Sequence, residues 1–332
     1  MQRVFRTIHR TIHRTIRWLA LALCAGLPLA AGAQYPDRPI RVVVPYTPGG
    51  AVDVLMRSLG QKLGEAWGQQ IVVDNRPGAG GSIGAALVAK ARPDGYTLLI
   101  STNSPLTTNP VLYANVGYDP LADFEPVIIA GGAGLVVVVG AKTPVKSVAD
   151  LIALAKEKPR ATFAATSGNG TTAHLGLAQF NKMAGVDIVH VPYKGGVPSL
   201  TAAVAGEVQV TFSDLVPALP LIRDGRIRAL ASTGLRRPGI APDIPTLNES
   251  GLSGFNIDVW LGMVAPKGTP KDVVLKLNRE INRIIKEPQF ARQLLDLGID
   301  PIGNTPEEFS EFLRQEMPRW KGIVAQAGIK VE

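Results

Sequence analysis

The chain has 332 residues, 46% of them hydrophobic and 19% charged, a globular composition with length for about two domains. Its formal charge of +8 is concentrated at the start, where Arg3, Arg6, Arg10, Arg14 and Arg17 lie in 34 residues that hold no acid. Removing those five from the 35 basic residues leaves 30 against 27 acidic ones, which excludes the clustered basic surface of a nucleic-acid-binding protein.

The first 34 residues read as a secretory signal. A basic segment, RVFRTIHRTIHRTIR, precedes the apolar WLALALCAGLPLA, and Ala31-Gly32-Ala33 supplies the small-x-small cleavage pattern. The apolar run is too short to span a bilayer. Cys24, the only cysteine, follows Leu23, where a lipoprotein signal wants a small residue. The mature chain therefore has no disulfide and relies on its core. It is expected to be soluble and exported to the periplasm.

After the signal, apolar runs alternate with helical patterns. IRVVVPY (40–46) reads as a buried strand, and Val52, Leu55, Met56, Leu59 and Leu63 then mark one helix face. QQIVVDN (69–75) is the next strand, Ser82 to Ala91 a helix, and YTLLIS (96–101) a third strand. This order implies a parallel sheet with helices on its faces.

A second series begins near Ala141. LVVVVG (135–140) is a buried strand, and Ser147 with Asp150 opens a helix whose apolar face is Val148, Leu151, Ile152 and Ala155. Strands follow at 161–166, 187–193, 208–214 and 227–233, separated by helices at Thr171–Ala184, Pro198–Ala205 and Pro217–Arg223. The tail (270–286, 288–297 and 306–327) is helical and amphipathic, and is expected to pack on the first series.

Two stretches echo each other: VVVPYTPGG (42–50) and VHVPYKGGVP (190–198) each set a strand, Pro-Tyr and Gly-Gly before a helix. Ligands of open α/β sheets sit at the carboxyl ends of strands, where both turns fall. Glycine permits close approach, and a helix start offers free N–H groups and the positive end of the dipole. Gly49, Gly50 and the Ala51 amide are thus expected to hold a small anion without a charged side chain.

Asp53 either complements the dipole or shapes the loop, and Tyr46 either covers a ligand face or packs in the core. A second polar turn, TSGNGTTAH (166–174), offers Ser167, Gly170, Thr171 and Thr172. One N-cap explains one of its hydroxyls but hardly all three. In a third, STNSPLTTN (101–109), Asn103, Ser104, Thr107 and Thr108 either donate to an anion or cap the next helical turn. Lys194 is the only cation in these loops and reads by default as a solvated surface lysine. Asp214 ends a strand, where it could accept from a ligand hydroxyl or amine, or cap the next helix.

Metal and cofactor chemistry find little support. The mature part holds only His174 and His190, no cysteine, no H-E-x-x-H, no P-loop and no complete dinucleotide fingerprint. His190 lies inside a strand and reads as core or hydrogen-bonded. Gly80-Gly81-Ser82-Ile83-Gly84 matches G-x-S-x-G, so an exported serine hydrolase using Ser82 is an alternative. Against it, the turn from Asn75 to Gly80 is loose where a nucleophile elbow is sharp.

The chain resembles the Bug-type extracytoplasmic solute receptors of the tripartite tricarboxylate transporter family. The stretches that carry the resemblance are YPDRPIRVVVPYTPGGAVD, VVDNRPGAGGSIGAALVAKARPDGYTLL, NPVLY, DFEPV, GTTAHL, VHVPYKGGVPSLTAAVAGEVQVTF and IRALASTG…RRPGIAPDIPTLNESG, in order along nearly the whole mature chain. It implies a two-lobed α/β periplasmic binding protein of type II kind, each lobe a mixed sheet flanked by helices. The lobes would comprise 35–139 with 257–332, and 140–256, with the return crossing near Ser253–Trp260. A small carboxylate (di- or tricarboxylate, amino acid or aromatic acid) would be held in the cleft, largely by backbone amides.

Carried over by the resemblance, the Gly49-Gly50 loop with Thr47 and Asp53, then Ser101 and Asn103, line the first lobe. Ser167, Thr171, Thr172, His174, Tyr193, Lys194, Gly195 and Asp214 line the second. The family commonly has Phe-Pro at Tyr46-Thr47 and often Pro at Thr172, so this chain adds hydroxyls there. The expected partners are a carboxylate ligand and a membrane permease, with the receptor a monomer that is not an enzyme and needs no metal or cofactor. A module reporting ligand state to a membrane kinase is the other alternative.

Overall fold

The computed structural model describes residues 35–113 and 115–327; the expected signal segment, with Cys24, lies outside them. The chain divides after Asp37, and the fold lies in the unit beginning at Arg38. The first strand, β1 (Ile40–Val44), has Val42, Val43 and Val44 fully enclosed, as a run without alternation requires when both sheet faces are covered. It pairs in parallel with β2 (Ile71–Asn75) and β3 (Thr97–Ser101). Helix α1 (Ala51–Trp67) buries the predicted stripe of Val52, Leu55, Met56, Leu59 and Leu63, and ends where Gly68 turns left-handed. Helix α2 (Ser82–Ala89) and the short α3 (Asn109–Leu112) flank the third strand's exit.

Sequence patterning gave no sign of β4 (Phe124–Ala133), β10 (Trp260–Pro266) or β11 (Ile299–Pro301). β10 lies between β3 and β4, antiparallel to both, and β11 pairs antiparallel with β4. The first sheet, ordered β11-β4-β10-β3-β1-β2, is therefore mixed rather than parallel. Glycines at 131 and 132, a proline at 126 and register shifts against β10 break the alternation that marks a strand.

The chain leaves this sheet at Gly134. β5 (Leu135–Gly140) already belongs to the second sheet, antiparallel to β8 (Val210–Asp214) and β9 (Ile227–Ser232). The sequence reading had carried the first lobe on to 139. The change falls earlier because the valine run fills the second core, where Val136 and Val138 pack with Leu200, Leu215, Leu219 and Ile227. β6 (Phe163–Thr166) pairs in parallel with β7 (Val189–Pro192) and β8, giving the order β7-β6-β8-β5-β9.

The helices of this half are α4 (Val148–Glu157), capped by Ser147 Oγ accepting from the Asp150 amide, α5 (Thr172–Ala184), α6 (Gly196–Ala205) and α7 (Leu215–Arg223). α6 and α7 begin earlier than expected, at Gly196 and Leu215. Pro198 and Pro217 sit inside their first turns, where a missing N–H costs little. The return segment lies beside the outgoing one: the Ile257 amide donates to Thr233, and the Ala133 amide to Val259.

The tail packs on the first sheet. α8 (Lys271–Ile285) buries Val273, Val274, Leu277, Ile281, Ile284 and Ile285, and its Asn278 side chain donates to the Val127 carbonyl of β4. α9 (Pro288–Asp296) and α10 (Pro306–Ala327) follow, with Phe309 and Leu313 joining Val43, Leu99, Phe124 and Trp260 in one core. The molecule thus consists of two lobes, each a mixed sheet flanked by helices, joined by crossing strands. No helix among the described residues is long and apolar enough to cross a membrane.

Candidate functional site

The cleft between the lobes is lined from the first by Tyr46, Thr47, Gly50, Ala51, Val52, Asp53 and Thr102. Ser167, Thr171, Thr172, Ala173, Gly196 and Asp214 line it from the second, and Leu135 and Val259 from the crossing strands. It encloses about 470 Å³ of empty space, counting what opens to solvent at its mouth. The first residues of α1, α5 and α6 are in this wall, and Asp214 immediately precedes α7. Three helix starts therefore converge, each with first-turn N–H groups that have no intrahelical acceptor and with a positive dipole end. Neither lysine nor arginine lines it among the described residues; its ionisable acids are Asp53 and Asp214.

The two diglycine corners meet. A Cβ at Gly195 would collide with Thr47 Oγ1, and one at Gly49 would stand 3.3 Å from Val197 Cγ2. Both glycines also have positive φ, +132° and +88°, so the corners need glycine for conformation and for space.

Asp53, 3% exposed, shapes the loop. Its carboxylate accepts from the Gly49 amide and Arg57 Nε, both at 2.9 Å, and from Asn75 Nδ2 at 3.0 Å. Burial opposes its ionisation, but the bonds from Arg57, Gly49 and Asn75 prevail and hold it below the usual carboxylate range. The Gly49 amide, expected to hold an anion, is thereby committed to Asp53. Tyr46 packs over the cleft with its hydroxyl 2.6 Å from Thr102 Oγ1 and 3.4 Å from Ser101 Oγ; burial pushes it up to about 12.

The polar turns divide their work. Thr171 is the N-cap of α5, its hydroxyl donating to the Gly168 carbonyl. Thr172 latches the lobes: its hydroxyl donates to Asn103 Oδ1 at 2.8 Å, and its amide to Ser104 Oγ at 3.0 Å. Asn103 also donates to the Asp258 carbonyl of the return segment. Thr108 donates to the Gly170 carbonyl and Tyr113 to that of Asn169. Asn103, Ser104 and Gly170 are not in the cleft wall because the lobe contact uses them, and Ser101, also outside it, faces the Tyr46 hydroxyl within its own lobe.

Other expected residues also stand away from it. Lys194 is exposed, and Tyr193 turns its hydroxyl to Glu207. His174 stacks on His190 with ring centroids 3.8 Å apart, and its Nδ1 accepts from the Gly170 amide. Burial pushes His174 down to about 4 and keeps it neutral. His190 is hydrogen-bonded to Thr166, as its place in a strand suggested. Val52, Thr102, Leu135, Ala173, Gly196 and Val259 went unforeseen. Thr102 lies between two residues singled out in the sequence; the apolar ones carry no chemical signal.

Ser82 opens α2 after a turn at Ala79–Gly81, and Asn109 Nδ2 donates to its hydroxyl at 2.8 Å. Asn109 stands where a catalytic base would, and both described histidines are stacked on each other. Among the described residues no group of His, Cys, Asp or Glu is placed to hold a metal.

Asp214 differs from Asp53 in lacking, among the described residues, a side-chain partner of opposite charge. Burial pushes its carboxyl up to about 6, while the hydrogen bond from the Ala51 amide favours the charged form. A Cβ on Gly50 or Gly196 would come within 3.5 and 3.4 Å of its Oδ2.

Residues 55–329 match the model of the tripartite tricarboxylate transporter family receptor. Protein BugT of Bordetella pertussis strain Tohama I is 36% identical over 310 residues, covering 93% of this chain and 95% of its own. Among solved structures, R. palustris Rpa4515 with adipate superposes with a TM-score of 0.87 at 38% identity, covering 89% of this chain and 99% of that one. MatC (Rpa3494) from Rhodopseudomonas palustris with bound malate gives 0.83 at 30%, covering 87% and 100%.

Two outcomes follow from the site. Gly195→Ala should lower the thermal unfolding midpoint, because φ of +132° is strained for alanine and its Cβ would meet the Thr47 side chain; a midpoint equal to wild type would contradict the close approach. Asp214→Asn concerns stability. A folded-state carboxyl raised to about 6 is stabilising as the neutral acid at low pH, and that contribution is lost as pH rises through about 6. The neutral variant should match wild type in the free energy of urea unfolding near pH 4 and exceed it at pH 7.5 by on the order of 1–2 kcal/mol, after discounting for partial exposure.

Proposed function

The chain belongs to the tripartite tricarboxylate transporter receptor family, and on that premise we propose that it is a periplasmic receptor closing over a small carboxylate and presenting it to a membrane permease. One observation carries the reading: first-turn amides of several helices face a cleft that no lysine or arginine lines among the described residues. Amides at helix starts bind carboxylates with little competition from neutral solutes of the same shape. Relatives with adipate and malate support a ligand of that class. Val52, Ala173 and Gly196 would supply donors, with hydroxyls of Thr47, Thr102, Ser167 and Thr171 beside them. Tyr46, Leu135 and Val259 would pack against the carbon chain.

The Thr172 latch gives closure a geometry. It joins the lobes through buried groups whose partners stand on the opposite lobe. Parting the lobes at this point would break those bonds, so a ligand that bridges the lobes would shift the population toward the arrangement that keeps them. The Ser82 arrangement supports binding rather than hydrolysis, since its hydroxyl partner is an amide.

Thermal melting of the mature chain with C4–C6 dicarboxylates and hydroxy acids tests the reading. Stabilisation should grow with the logarithm of ligand concentration above its dissociation constant. No shift with any carboxylate, alongside a shift with a neutral sugar or cation, would overturn it.

A further inference from the structure

Asp214 is an acid in the wall of an anion cleft. Its carboxylate stands against the first residues of α1 and α6, close to Gly50 and Gly196, where a ligand carboxylate would seek the same amides. The groups around it do not neutralise it. On α1, Asp53 is paired with Arg57 and tied to Gly49 and Asn75, so that guanidinium is committed. On the loop before α1, Tyr46 keeps its proton through the physiological range. On α5, His174 stays neutral. β5 and α6 present only Leu135 and Gly196 to the cleft, and the return segment Val259, whose neighbour Asp258 is itself an acid.

We propose that Asp214 is the specificity-determining residue of this cleft: it requires of a bound carboxylate a hydrogen-bond donor, a hydroxyl or an amino group, set against its own oxygens, and rejects a ligand presenting a second bare carboxylate there. The inference rests on the receptor reading. Two carboxylates confined together without a cation repel, and one must take up a proton. A donor on the ligand's second carbon removes that conflict by giving Asp214 a partner, whereas a ligand lacking the donor leaves a buried acceptor unmet. The raised carboxyl agrees with an acid that lacks such a partner.

The test is calorimetric titration of the mature chain with two matched sets: succinate, malate and aspartate, then adipate, 2-hydroxyadipate and 2-aminoadipate. At pH 7.5 the wild type should favour the donor-bearing members of a set over the plain diacid by about 10- to 100-fold. Asp214→Asn, whose amide can itself donate, should bring the members within about threefold, chiefly by gaining affinity for the plain diacid. The wild-type preference should also shrink at pH 5.5, where protonated Asp214 donates, and it should shrink more than in Asp214→Asn, which controls for titration of the ligands. Should the variant not fold, the wild-type ratio at the two pH values decides alone. Equal wild-type affinity within the sets, or a preference that survives unchanged in Asp214→Asn, overturns the assignment while leaving the receptor reading intact. Failure of all six acids to bind overturns the receptor reading and the inference with it.

Discussion

The cleft rests on an electrostatic imbalance. Its wall offers main-chain N–H groups from the starts of α1, α5 and α6, and its only ionisable acids are the carboxylates of Asp53 and Asp214. With no cation in the wall among the described residues, attraction for an anion comes from fixed dipoles, which need no counter-charge and lose no side-chain entropy on binding. The two acids are handled differently. Asp53 is neutralised locally by Arg57 and becomes the clasp that fixes the first corner; Asp214 keeps its charge unmatched and faces the space between the lobes.

The fold serves to bring those helix starts together. In each lobe the helices leave the carboxyl ends of parallel strands, so their N-termini gather at one edge of the sheet. Chain crossings at Gly134 and near Val259 set the two edges face to face and supply Leu135 and Val259 as the apolar floor. Thr47 against Gly195, and Thr172 against Asn103 and Ser104, then fix how near the lobes come.

Much of this could be read from the residues. The repeated Pro-Tyr…Gly-Gly turn foretold two opposed corners, because only a backbone that must be approached closely keeps paired glycines at a strand-to-helix turn. The alternating pattern gave the helices of both lobes and the parallel strands. It missed β4 and β10, whose glycines, proline and pairing on both sides erase period-two alternation. Among site residues, hydroxyls and amides near strand ends were singled out without distinguishing ligand contact from lobe contact. Asn103, Ser104 and Gly170 proved to be the latter, a distinction that depends on long-range geometry. Lys194 attracted notice as a lone cation, yet solvation keeps it outside. Asp53 was readable as a loop former from its place in the first turn; that Asn75 and Gly49 share its carboxylate was not.

The most direct test of the amide-based cleft is an amide proton–nitrogen NMR titration of the mature chain with malate. The account predicts the largest downfield proton shifts at Val52, Ala173 and Gly196, the first-turn residues that line the cleft. Shifts confined to the surroundings of exposed basic side chains such as Lys194, with those three amides unmoved, would contradict it.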